Sequence, residues 1–299
     1  MDGDKRMRIA FIGFGEAAQA FADSLRGLGA ISFAAYDILQ DDPAHNEVRA
    51  AAASLGVELA NDAAAAVHGA DWIFSAVTAA GSLEAAQSVV EALSPGQVFF
   101  DINSVSAGRK QATAEPVEAR GAPYIDMAVM APVHPRGHRT PVLLAGRVGV
   151  AVLEKLAGLG FDFEHAGDEI GAAATVKMVR SMFVKGMEAV TVQALLAARA
   201  AGCFDRVYAS LEQSFPHFGW PDFGRYQLER VATHGVRRAA EMHESAATMR
   251  EFGFAPGGQL GDAIAALQEE IGRMDLSLGG QDDLAAGLDL VLAGMLSRT

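Results

Sequence analysis

The sequence predicts an α/β protein: a doubly wound parallel sheet in the N-terminal half and an all-α C-terminal half, joined by a long helix. Three observations carry this expectation. Short apolar runs alternate with helical periodicities of about a dozen residues as far as Gly167, the pattern of βαβ units on a parallel sheet. Beyond Gly167 the strand signals stop and apolar residues recur at spacings of three and four, the period of a helix. Residues 171–201 contain no proline and would extend about 45 Å as a helix, enough to join two domains. A single core rarely serves 299 residues, so two domains are expected, 1–167 and 168–299.

The first strand, residues 7–12 (MRIAFI), runs directly into GFGEAA, that is Gly13, Phe14, Gly15, Glu16, Ala17 and Ala18. A Gly-x-Gly-x-x-Ala loop between a strand and a helix is the context a dinucleotide fingerprint requires. Gly13 permits the tight turn, Gly15 lets backbone N–H groups approach a pyrophosphate, and Ala18 allows the helix to pack closely on the strand. The pyrophosphate would sit on the positive end of that helix. A strand at 31–36 then ends at Asp37, close to the usual offset of about 20 residues for the acid that binds the ribose hydroxyls. A carboxylate there repels a 2′-phosphate, which favours NAD while leaving NADP open; the competing reading of Asp37 is a strand-end cap.

The alternation continues through helix 43–55, strand 57–59, helix 62–67, strand 71–77, helix 82–93, strand 97–101, helix 106–120 and strand 124–129. It closes with strand 141–145, helix 148–156 and strand 161–164. This is a Rossmann domain. Ligands in such sheets bind outside the carboxyl ends of the strands, which here carry Gly13–Ala18, Asp37, Val77, Thr78, Asn103–Ser106 and the loop 130–139.

In the second half, helices are expected at 204–215, around 228–249, at 260–271 and at 284–295, with a Pro- and aromatic-rich loop at 216–223. Within 171–201, Val176, Val179, Phe183, Met187, Val190 and Ala194 form an apolar stripe, and Lys177, Arg180, Ser181, Val184 and Glu188 lie opposite. Wide apolar helix faces predict a homodimer. Lys185 and Glu188 read as an exposed ion pair.

Composition removes several function classes. A net charge of −13 argues against binding nucleic acid or an anionic membrane, which needs clustered Lys and Arg. No apolar run reaches the roughly 18 residues of a membrane span, and the N-terminus lacks a signal-peptide core. The single cysteine, Cys203, excludes an internal disulfide and a cysteine metal cluster, reads as buried and inert, and fits a cytoplasmic location. His134 and His138 have the spacing of a helical metal pair, but Pro135 and Gly137 interrupt the helix they would need, so no metal is assigned. The basic loop around them reads as solvated, with steering of an anionic substrate as the alternative.

In the order of its parts, nearly the whole chain resembles the β-hydroxyacid dehydrogenase family, which includes 3-hydroxyisobutyrate, tartronate-semialdehyde and 6-phosphogluconate dehydrogenases. GFGEAA resembles the family's Gly-x-Gly-x-Met-Gly. DINSVS at 101–106 resembles its nicotinamide and substrate loop, and DMAVMAP at 126–132 stands where the family has Asp-Ala-Pro-Val-Ser-Gly-Gly. GAAATVK at 171–177 resembles Gly-x-Gly-x-x-x-Lys, whose lysine is catalytic, so the resemblance makes Lys177 the active lysine. The chain departs from the pattern in three places. Met130-Ala131-Pro132 replaces Ser-Gly-Gly, Arg180 and Ser181 stand where an Asn follows the lysine, and Ala240-Glu241 stands for a Lys-Asp pair. These departures mark a divergent branch and leave the substrate unnamed.

Oxidation of an alcohol by hydride transfer leaves a proton, so the site needs an acid/base beside the hydroxyl oxygen. Lys177 fits if desolvation and the neighbouring Arg180 draw its pKa towards neutrality in a cleft between the domains. Arg180 also offers a planar fork for a carboxylate. Asn103 and Ser104 orient the nicotinamide carboxamide or the substrate, or else serve as turn residues. The expected activity is NAD(P)-dependent interconversion of a small β-hydroxy acid, or a related carboxylated alcohol, with its carbonyl form. Cofactor contacts are expected from Gly13, Phe14, Gly15, Glu16, Ala17, Ala18, Asp37, Val77, Thr78 and Asn103; substrate contacts from Asn103, Ser104, Arg180 and Ser181. Oxidative decarboxylation and nucleotide sensing without turnover are the alternatives.

Overall fold

The computed structural model describes residues 6–276, 278 and 283–297. It divides into two compact units, Met1–Lys177 and Met178–Thr299. The division lies inside the long helix rather than at Gly167.

The first unit is built on eight strands: β1 (Met7–Ile12), β2 (Ile31–Tyr36), β3 (Glu58–Leu59), β4 (Trp72–Ser75), β5 (Val98–Asp101), β6 (Tyr124–Val129), β7 (Val142–Ala145) and β8 (Phe163–Gly167). Their order across the sheet is β3-β2-β1-β4-β5-β6-β7-β8. The order reverses between β1 and β4, so a crevice opens at their carboxyl ends. Helices α1 (Glu16–Arg26), α2 (Asn46–Leu55), α3 (Ala63–Val67), α4 (Ser82–Val90), α5 (Ala107–Ala119) and α6 (Val150–Gly158) connect the strands. With both faces of the sheet covered, the central strands are continuous apolar runs. Phe11, Phe74 and Phe100 stack across β1, β4 and β5, with ring centres 5.8 and 4.8 Å apart.

Two strands break the parallel expectation: β7 and β8 are parallel to each other and run opposite to the other six. β6 and β7 pair antiparallel, Asp126 with Ala145 and Val129 with Val142. Their connection holds only a short 3-10 turn, Gly137–Arg139, not a helix long enough for a crossover, so the chain folds straight back. That connection is also not wholly solvated. His134, Arg136 and Arg139 are exposed, but His138 is buried. Its backbone N–H donates to Ser24 Oγ, Nδ1 meets the same oxygen at 2.8 Å, and Nε2 meets Leu159 O at 2.9 Å. Burial holds its imidazole below the usual pKa.

The long helix, α7, spans Ala172–Ala200. Its part from Met178 onward shares the second unit with α8 (Phe204–Ser214), α9 (Asp222–Glu251), α10 (Ala255–Gly272) and α11 (Leu284–Leu296). Val192, Leu195, Leu196, Leu228, Val231, Ile271, Leu288 and Val291 make its core. No described helix is long and apolar enough to cross a membrane.

The burial of α7 inverts the expected one. Val176, Val179, Phe183 and Val190 are exposed, Phe183 by 71%, as is Ala194. The buried face runs through Met178, Ser181, Lys185, Glu188, Ala189 and Val192. Lys185 and Glu188 are therefore not an exposed pair. Lys185 Nζ donates to Glu241 Oε2 at 2.7 Å. Glu188 takes both Arg238 Nε and Nη2, and Gln268 Nε2 donates to it at 3.0 Å. Partners on α9 and α10 let these charges go inside, which periodicity on one helix does not reveal. Cys203 is half-exposed in the turn before α8, not buried.

With Glu188 removed, the Arg238 guanidinium would be left buried and unpaired, at a cost of about 3–5 kcal/mol. Glu188→Ala should lower the unfolding free energy by that order in denaturant titration; a loss under about 1 kcal/mol would show the pair to be dispensable.

Candidate active site

The crevice at the carboxyl ends of β1, β2, β4 and β5 gathers the predicted cofactor residues of the first unit. Gly13 has φ +84°, and a Cβ there would lie 2.4 Å from the Ala76 carbonyl oxygen, so only glycine fits. Phe14 turns its side chain into the core; only its backbone faces the crevice, and its N–H donates to Asp37 Oδ2 at 2.7 Å. The other Asp37 oxygen accepts from Leu39 N–H at 2.9 Å. Two backbone donors thus fix the carboxylate beside the glycine loop.

Gly15 caps α1 in an extended conformation without a side-chain hydrogen bond. A Cβ on it would meet nothing within 4 Å. Gly15 and Glu16 are exposed, Ala17 half-buried and Ala18 fully buried against the sheet. An open helix end with free space before it is a site for an anion, and these residues fit the pyrophosphate of a dinucleotide.

Across the crevice, Asn103 is 4% exposed and its amide faces inward. Oδ1 accepts from Val77 N–H at 2.7 Å, and Nδ2 donates to Ser75 Oγ at 2.8 Å. Asn103 therefore ties the loop after β4, with Val77 and the exposed Thr78, to the loop after β5. Ser104, next in sequence, is half-buried, and Lys177 Nζ donates to its Oγ at 2.6 Å. The lysine of the first turns of α7 thus reaches the loop that follows β5.

Sequence reasoning missed the support beneath this contact. Lys110 is completely buried on the inner face of α5, with Thr113, Ala114 and Val117. Its Nζ donates to Asp101 O at 2.7 Å and lies 3.0 Å from Asp101 Oδ1 and 3.3 Å from Asp126 Oδ1. Tyr124 donates its hydroxyl to Asp101 Oδ2 at 2.5 Å. Burial and the Asp101 charge push the phenol far above its usual pKa, so it stays a donor. The signal was present: a lysine in register with the apolar residues of its helix.

Arg180 and Ser181 follow Lys177 on α7 and belong to the second unit. Arg180 is exposed. Ser181 is 8% exposed, and its Oγ accepts from Lys185 Nζ at 3.4 Å. Burial lowers the Lys185 pKa, partly offset by Glu241. Where Ala240-Glu241 lacks a lysine, α7 supplies one. Among the described residues no three His, Cys, Asp or Glu side chains converge as metal ligands.

Residues 8–104 match the family described as NADP oxidoreductase, coenzyme F420-dependent, and residues 198–271 match a domain of unknown function, DUF1932. A conserved hypothetical protein from Sinorhizobium meliloti is 37% identical, with 98% of this chain and 97% of that one aligned at a TM-score of 0.72. The 2-(hydroxymethyl)glutarate dehydrogenase of Eubacterium barkeri is 26% identical over 189 residues, 60% of this chain and 60% of that enzyme. The fold is shared with a Mycobacterium tuberculosis 3-hydroxyisobutyrate dehydrogenase: TM-score 0.70 over 95% of this chain and 99% of that one, at 17% identity.

Proposed function

The chain belongs to the β-hydroxyacid dehydrogenase family, nicotinamide-dependent oxidoreductases of CH–OH groups, and on that premise we propose that it interconverts a small β-hydroxy acid, or a related carboxylated alcohol, with its carbonyl form. The observation that carries this reading is the 2.6 Å hydrogen bond from Lys177 Nζ to Ser104 Oγ. It brings an acid/base to the loop that flanks the nucleotide crevice.

A bound nicotinamide supplies the hydride acceptor in one direction and the donor in the other. The chain supplies the rest. Gly15, Glu16, Ala17 and Ala18 present backbone N–H groups to the pyrophosphate, Gly13 and Phe14, whose N–H groups go to Tyr36 O and Asp37, shape the turn before them, and Asp37 takes the ribose hydroxyls. Asn103 holds Val77 and Thr78 in place beside the nicotinamide. In the oxidative direction neutral Lys177 takes the proton from the substrate hydroxyl, and in reduction its ammonium returns it to the carbonyl oxygen. Ser104, in accepting one Nζ hydrogen, fixes where the nitrogen points. Arg180 and Ser181, three and four residues on, are assigned to an anionic substrate, Arg180 to its carboxylate.

Lys177→Ala should lower turnover by about a hundred- to ten-thousandfold while leaving cofactor affinity in place. Unchanged turnover would sink the lysine assignment, and release of carbon dioxide during turnover would replace simple oxidation by decarboxylation. A chain that binds nucleotide but turns over none of a panel of hydroxy and oxo acids is a sensor.

The cofactor is a nicotinamide nucleotide, and the Asp37 carboxylate, held by two backbone N–H groups, favours NAD over NADP. Fluorescence titration should find NADH bound more tightly than NADPH; the reverse order would remove Asp37 from the ribose. A homodimer belongs to the same proposal, carried by Phe183 and Val190, which stand 71% and 69% exposed on α7. Light scattering should give twice the chain mass, and a monomer would leave that apolar strip without the assigned partner.

A further inference from the structure

Two aspartates stand directly side by side on neighbouring parallel strands: Asp101 at the end of β5 is in register with Asp126 on β6. Both are completely buried. Adjacent carboxylates on one sheet repel each other, and neither has water to screen it. Lys110, entering from α5, is the group that offsets them. Asp126 Oδ1, otherwise without a hydrogen bond, faces its ammonium at 3.3 Å.

Each aspartate also holds something beyond the pair. Asp101 Oδ1 accepts from Asn103 N–H at 2.8 Å, which sets the loop carrying Asn103 and Ser104. Asp126 Oδ2 accepts from Ala174 N–H at 2.9 Å. That amide is in the first turn of α7, where backbone donors have no partner inside the helix, and it lies one turn before Lys177. A third contact seats the same helix start: Gly171 has φ +98°, and a Cβ there would come within 2.7 Å of Ala107 Cβ, at the start of α5.

From this we infer that Lys110 is a positioning residue for the redox site: through Asp101 and Asp126 it fixes the Ser104 loop and the first turn of α7 relative to each other, and so sets where Lys177 stands. The inference rests on the assignment of Lys177 and the Asn103–Ser104 loop to the nicotinamide end of the crevice. Lys110 touches neither cofactor nor substrate. It acts on one end of the site, because the backbone groups its two aspartates hold, Asn103 N–H and Ala174 N–H, begin the Ser104 loop and the helix of Lys177.

That asymmetry is the test. ADP-ribose carries the pyrophosphate and adenosine end but no nicotinamide. The wild-type chain should bind NADH more tightly than ADP-ribose. Lys110→Met should leave ADP-ribose binding unchanged, bring NADH affinity down towards that of ADP-ribose, and reduce turnover about a hundredfold, the scale of an ångström-level displacement of a reacting group. If Lys110→Met keeps the wild-type preference for NADH and loses only thermal stability, Lys110 is a structural lysine and the inference fails. Should Lys110→Met not fold, Asp126→Asn decides. It keeps an oxygen for Ala174 N–H and removes the charge facing Lys110; a reduced NADH preference supports the inference, and a preference equal to wild type overturns it. A wild-type chain that binds NADH no better than ADP-ribose would instead refute the nicotinamide site itself, an outcome distinct from failure of the Lys110 role.

Discussion

Asp101 and Asp126, in register on adjacent strands and shut away from water, make a repulsion that the sheet has to resolve locally. A lysine from α5 resolves it, and Asp101 Oδ1 and Asp126 Oδ2 are then fixed acceptors. A hydrocarbon core would have filled the same volume without strain, and buried ion clusters are often no more stable than apolar replacements. What an apolar core would lack is direction. Carboxylate oxygens aim at particular N–H groups, and here those groups begin the loop after β5 and the helix bearing Lys177. In the proposed role of Lys110, the polar cluster is a jig for the edge that carries Ser104 and Lys177 as well as part of the core.

Much of the fold was legible because its causes are local. Short apolar runs alternating with helical periodicities gave the strands of the first unit, and β1, β2 and β6 have the predicted bounds. The fingerprint was legible because the φ of +84° at Gly13 and the open helix end at Gly15 follow from residue type. The errors share one origin. The direction of β7 depends on what the connection before it cannot do. The burial of Lys185 and Glu188 depends on Glu241, Arg238 and Gln268, far away in sequence. Hydrophobic periodicity treats every charge as solvent-facing, so it chose the wrong face of α7 and passed over Lys110. The half-exposure of Cys203 follows from its place in a turn, which outweighs the usual preference of cysteine for the interior.

Among candidate site residues, residue type revealed the role better than the orientation. Asn103 was expected to orient a ligand or to serve the turn, and its amide bonds Val77 and Ser75. Phe14 was placed in the cofactor loop, and only its backbone is there. Both have the same sense: a residue with the look of a ligand contact also holds the loop in which it stands. Glu241 meets a lysine from α7 where the family pattern has one beside it in sequence, so a lost side chain has a spatial counterpart.

The unit boundary, between Lys177 and Met178, has a consequence for descent. The assigned nucleotide contacts, the lysine proposed as acid/base and the buried cluster of Lys110, Asp101 and Asp126 all lie on the N-terminal side of that line, while Arg180 and Ser181 lie beyond it. Drift in the helical half can then change which molecule is admitted without altering the parts that move hydride and proton. A lineage could retain its redox apparatus and exchange its clientele, one helical domain at a time.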